Sequence, residues 1–190
     1  MDDLVGTQAP ARRLTDPADA VGELERAVPG LAALRLPERR AVDWQVIETE
    51  LGVALPGDYK LLRDRYPPFV LGDFLGFGGP DPGHERRWAL GRIEGLEDVA
   101  ELCEEADLAV PLHPYPHPGG LLPWAGSNQG DLFLWTTSPA GPDEWTVTVA
   151  SRSSAWWHYT GGAVQFLADL VSGAVHPWAL PRIRPEILAP

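Results

Sequence analysis

Trp44-Gln45-Val46-Ile47-Glu48-Thr49-Glu50-Leu51-Gly52-Val53-Ala54-Leu55-Pro56-Gly57-Asp58-Tyr59 is the stretch from which the architecture is read. Trp44, Ile47, Glu48 and Leu51 recur three or four residues apart, the spacing of one helical face, and Gly52 stands where a helix end calls for the left-handed conformation. The spacing predicts a helix over 37–51. Another starts at Leu55-Pro56, with Tyr59, Leu62 and Tyr66 as its apolar stripe and Pro67-Pro68 as its stop. Upstream, Asp16 is placed to cap a helix opened by Pro17, whose apolar face is Val21, Leu24 and Val28 and whose stop is Pro29-Gly30. The first eleven or so residues have no period and are expected to form a mobile terminus.

Downstream of Phe69 the pattern changes to short apolar runs punctuated by Gly, Pro and Asp. Strands are predicted over 69–71, 74–77 and 88–90. Leu96, Val99, Leu102, Cys103 and Ala106 return to helical spacing, which places an inserted or edge-packing helix over 95–107. Pro111, Pro114, Pro116 and Pro118 make the next segment an extended loop. Strands over 121–124, 131–135, 145–150 and 155–159 follow as a meander. A last helix over 162–172 carries Val164, Leu167, Leu170 and Val171 and ends at Gly173. The order of elements gives an α+β fold: an antiparallel or mixed sheet with N-terminal helices and a C-terminal helix packed on it. Its predicted divisions are an N-terminal extension with one helix (1–35), the main domain (36–175) and a Pro-rich tail (176–190) without a partner of its own. No internal repeat is visible.

The chain has 190 residues, of which 44% are hydrophobic and 22% charged, a composition that excludes a disordered chain and a coiled coil. No uncharged apolar run approaches the length of a membrane span, and Met1-Asp2-Asp3 lacks the basic start of a signal peptide. One cysteine, Cys103, allows no internal disulfide, and the expected location is cytoplasmic. Net charge is −12, so the field repels a phosphate backbone and attracts basic partners; direct nucleic-acid binding is disfavoured. The imbalance is uneven: residues 1–92 hold 12 bases against 15 acids, and residues 93–190 hold 3 bases against 12 acids.

Trp44-x-x-Ile47-Glu48-x-Glu50-Leu51-Gly52-x-x-Leu55-Pro56-x-Asp58-Tyr59 resembles the opening signature of the SUKH superfamily, which contains a yeast cell-wall-synthesis regulator and many bacterial immunity proteins. Leu122-Pro123-Trp124 with Asn128, Gly130-Asp131 and Trp135, then Asp143 to Val147, is similar to the central strands of members of that group. Phe166-Leu167 to Gly173 resembles their last helix, so that the likeness spans roughly residues 40–175. The resemblance implies a bacterial immunity protein: a stoichiometric, non-catalytic binder that neutralises a cognate toxin, with no catalytic residues and no cofactor. The alternatives are an intracellular regulatory or scaffold module and a binder of small ligands or carbohydrates.

The strongest local feature is the acidic run Glu94, Glu97, Asp98, Glu101, Glu104, Glu105 and Asp107, with no base among them. On a helix, 94/98, 97/101 and 101/105 are like-charge pairs, each costing about 0.2–0.5 kcal/mol in isolation. Glu97, Glu101, Glu104 and Glu105 read either as a steering face for a basic toxin domain or as a solvated helix face. The eight tryptophans read mainly as core, but Trp156 and Trp157 are adjacent on a strand and point to opposite faces. Unless both faces are covered, one of the pair is exposed, which makes Trp156 a candidate partner contact. His113 and His117 are separated by prolines that forbid a helical metal site, so no metal is expected. Gly76-Phe77-Gly78-Gly79-Pro80 superficially resembles a phosphate loop but lacks the Lys-Ser/Thr and the following helix. No nucleophile, metal or cofactor motif stands out.

Overall fold

The computed structural model describes residues 4–106, 108 and 110–188. Eight strands form one mixed sheet: β1 (Leu4–Gln8), β2 (Phe69–Leu71), β3 (Leu75–Phe77), β4 (Leu121–Ser127), β5 (Leu132–Thr136), β6 (Thr146–Ala150), β7 (Trp156–Tyr159) and β8 (Ile187–Leu188). Their order across the sheet is β1-β7-β6-β5-β4-β3-β2-β8, and only the β1–β7 pair is parallel. Five α-helices accompany it: α1 (Pro17–Ala27), α2 (Trp44–Leu51), α3 (Gly57–Arg65), α4 (Glu85–Glu105) and α5 (Ala163–Ser172). The fold is α+β, with helices on a mixed sheet.

The helices begin where local chemistry lets them. Asp16 Oδ1 accepts from the Ala18 and Asp19 amides, and Asp43 Oδ1 accepts from those of Gln45 and Val46. That second cap shortens α2 to 44–51 from the predicted 37–51. The helix closes at Gly52, whose φ of 72° is left-handed. Alternation then sorts the central strands. Leu122, Trp124, Phe133, Trp135, Val147, Val149, Trp157 and Tyr159 face one side and join the main core with α1, α3 and α5. Tyr59 of α3 sits at its centre, edge-on to Trp135 at 4.9 Å, with Phe77 and Trp44 at 5.6 and 6.1 Å. Leu121, Leu134, Ala150 and Trp156 face the other side, in a smaller core with Val99 and Cys103 of α4.

Four expectations are corrected. The strand over 88–90 and the helix over 95–107 are one helix, α4, up to Glu105; residue 107 lies outside the described residues. Its inward stripe is Glu85, Ala89, Arg92, Leu96, Val99 and Cys103, spaced four and three apart, and two charged members hide it from a reading of apolar periodicity. Residues 4–8 are not a mobile terminus but the parallel edge strand β1, paired through Gly6↔Trp157 and Gln8↔Tyr159. The N-terminal extension is not a separate division, because Ala20, Val21 and Leu24 of α1 are buried in the common core. The tail does have a partner: Leu180 and Ile183 are buried in that core, and Ile187–Leu188 pair with β2.

Candidate functional site

α4 is amphipathic by charge as well as by polarity. It opens with Glu85-Arg86-Arg87 and carries Arg92, then turns acidic with Glu94, Glu97, Asp98, Glu101, Glu104 and Glu105. The acids at its end face the negative pole of the helix, and no base occupies the last turn to offset them. The helix is held down by its inner stripe and, at its N-terminal end, by Arg86, which pairs with Glu50 of α2 at 2.9 Å. The Glu85 carboxylate accepts from the Asp43 amide at 3.2 Å, and Ala89, Val99 and Cys103 are buried. That anchoring turns Glu97, Glu101, Glu104 and Glu105 outward, all four exposed. Among the described residues none of the six acids from Glu94 to Glu105 forms an ion pair. Asp107, the last of the run, lies outside the described residues.

Beside the acidic ridge, α4 and the following segment enclose a groove of about 550 Å³, lined among others by Ala100, Cys103, Glu104, Leu112 and His113. Leu102 and Val110 are exposed along the same stretch, Val110 by 72%. The His113 and His117 rings lie 4.3 Å apart in a tilted stack, and Tyr115 Oη donates to the Leu51 carbonyl at 2.9 Å, tying the proline-rich loop to α2. Burial pushes the Cys103 thiol up to about 11, so at neutral pH it is protonated and a poor nucleophile.

Trp156 is corrected. It is 3% exposed and Trp157 is fully buried, so both faces of β7 are covered, one by α4 and the other by the main helical layer. Trp156 packs beneath the ridge, in the small core with Val99 and Cys103 of α4. Trp124, Trp135 and Trp145 are buried in the main core. Trp44 is half-buried, and its indole N–H donates to Asp64 at 2.9 Å.

The basic half of α4 is barely signalled by the sequence. Arg87 and Arg92 border a bowl beside Gly79, behind which Arg63 of α3 is fully buried. Its one sequence signal is the glycine pair Gly78-Gly79, within the stretch that superficially resembles a phosphate loop. Among the described residues no group of three or more His, Cys, Asp or Glu is placed to hold a metal ion, and no helix is long and apolar enough to cross a membrane. Compared with known protein families and with curated protein sequences, the chain has no match.

Proposed function

We propose that this chain is a SUKH-like immunity protein of the cytoplasm, a non-catalytic binder that neutralises a basic toxin domain by occupying its substrate-binding surface. The observation that carries the reading is the exposed acidic ridge of α4, which stands against its own helix dipole and, among the described residues, forms no ion pair. A helix that gives up stability in this way presents a field able to steer a basic partner, and a domain that acts on nucleic acid must itself be basic. Glu97, Glu101, Glu104 and Glu105 form the steering face; the neighbouring groove, with exposed Leu102 and Val110 at hand, offers the apolar contact that long-range charge alone does not provide.

The test uses the wild-type chain and the variant Glu97→Lys/Glu101→Lys/Glu104→Lys/Glu105→Lys as baits in extract of the native host. Wild type is expected to retain a basic toxin domain, with capture falling steeply from low to physiological salt as exposed charges become screened. The reversal variant is expected to retain none of it. Equal, salt-independent capture by both baits removes the ridge from the interface.

A further inference from the structure

At the N-terminal end of α4 a bowl of about 480 Å³ is lined by Gly79, Asp81, His84, Arg87, Trp88 and Arg92. Arg63 lies behind Gly79, one of the lining residues. A Cβ on Gly79 would come within 2.1 Å of Arg63 Nε, so the glycine is what lets the guanidinium lie so close. Arg63 is fully buried; its Nη1 donates to the Phe77 carbonyl at 3.3 Å and its Cζ lies 5.4 Å from the centre of the Phe77 ring. Among the described residues its Nε and Nη2 have no hydrogen-bond partner and no carboxylate pairs with it. Arg92 Nε and Arg40 Nη1 are also buried and unpartnered. Arg92 lies over the Trp88 ring at 5.4 Å, while Arg40 uses its other terminal nitrogen to pair with Asp81.

An isolated buried guanidinium is among the least favourable groups a fold can hold, and it is tolerated where a counter-charge is supplied. Burial pulls the Arg63 guanidinium below its ordinary value, the direction that a bound anion would reverse. The one carboxylate lining the bowl alongside these bases, Asp81, is already engaged by Arg40. In a chain of net charge −12 this gathering of bases runs against the composition, so diffuse uptake of anions is not its explanation.

We propose that the bowl binds a phosphate group, as inorganic phosphate or a small phosphate monoester, held by Arg87 and Arg92 in its lining and attracted by the unpaired Arg63 charge behind Gly79. A carboxylate, with one charge and two oxygens, would leave most of these donors idle; a phosphate dianion with three terminal oxygens matches several guanidinium forks. The site lies at the opposite end of α4 from the acidic ridge and does not depend on it.

The test is thermal unfolding in buffer free of phosphate and sulfate, titrated with inorganic phosphate, glycerol 2-phosphate, or sodium chloride at matched ionic strength. Wild type should show a saturable rise in Tm, about 2–4 °C at roughly five times the Kd, with a phosphate but not with chloride. Arg63→Met should melt no lower than wild type without phosphate, since it removes an unpaired buried charge, and should lose the phosphate-dependent rise. Arg92→Gln should weaken phosphate binding at least about tenfold and decides the matter if Arg63→Met does not fold. A response to inorganic phosphate alone identifies the free ion as ligand; a response to both admits the ester. No saturable rise in wild type, an equal rise with chloride, or an undiminished rise in the variants overturns the proposal.

Discussion

Thr136, Thr148 and His158 form a polar row across neighbouring strands on the face of the sheet that also carries Trp156. Thr136 and Thr148 hydroxyls are 2.7 Å apart, and Thr148 Oγ1 lies 3.0 Å from His158 Nδ1. Burial disfavours the charged imidazole, so His158 titrates below its ordinary 6.5. The unfolded chain therefore binds the proton more readily than the folded one, and stability contributed by the neutral ring is lost as pH falls from about 6.5 toward the folded value. Wild type is expected to lose more Tm between pH 7.5 and 5.5 than His158→Gln, measured by thermal unfolding of both across that range. Asp58 and Asp169 are both raised chiefly by burial and act in the opposite direction at lower pH, which is why the comparison rests on the variant and not on the wild-type curve alone. Trp156 offers a second test. If it is core rather than contact, Trp156→Ala should cost about 3–5 kcal/mol in urea titration through the cavity left under α4.

For single elements, α4 shows how tertiary packing overrides local electrostatics. Its acids sit at the negative pole, and its i,i+4 pairs 94/98, 97/101 and 101/105 are repulsive. Glu101→Lys/Glu104→Lys/Glu105→Lys should therefore raise stability by about 1–2 kcal/mol, read by urea titration at low salt, with the gain shrinking as salt is added. The same triple variant should weaken capture of a basic partner. Opposite signs for stability and binding distinguish a steering face from a solvated one, for which only stability would change. This helix also marks a limit of reading periodicity: Leu96, Val99 and Cys103 were legible as one stripe, whereas Glu85 and Arg92 hid its first turns. The charges were legible in full, since a run of acids without a base needs no fold to be seen.

Across the whole molecule, the two chain ends close the two edges of the sheet. β1 lies beside β7 at one edge and β8 beside β2 at the other, so distant segments finish what the meander begins. Leu180 and Ile183 fill the main core from the tail, and fully burying each such side chain stabilises by about 1.5–3 kcal/mol. Deleting residues 176–190 should therefore destabilise the fold by about 3–6 kcal/mol in denaturant titration; a loss below about 1 kcal/mol would mean the tail is dispensable.

The sequence by itself determined the α+β class, most of the α1, α3 and α5 boundaries, the central meander and the acidic run, because each rests on local chemistry: caps, proline and glycine stops, period-two or helical alternation. Tertiary structure alone decided that residues 4–8 pair with β7 and that the tail pairs with β2, because an edge strand is specified by a partner far along the chain and carries no pattern of its own. It also decided the fate of Trp156, whose exposure depended on whether α4 crosses to the second face of the sheet. The cluster of Arg40, Arg63 and Arg92 was equally invisible, since three bases spread over 53 positions come together only when the segment before α2, α3, α4 and the Gly78-Gly79 segment are packed.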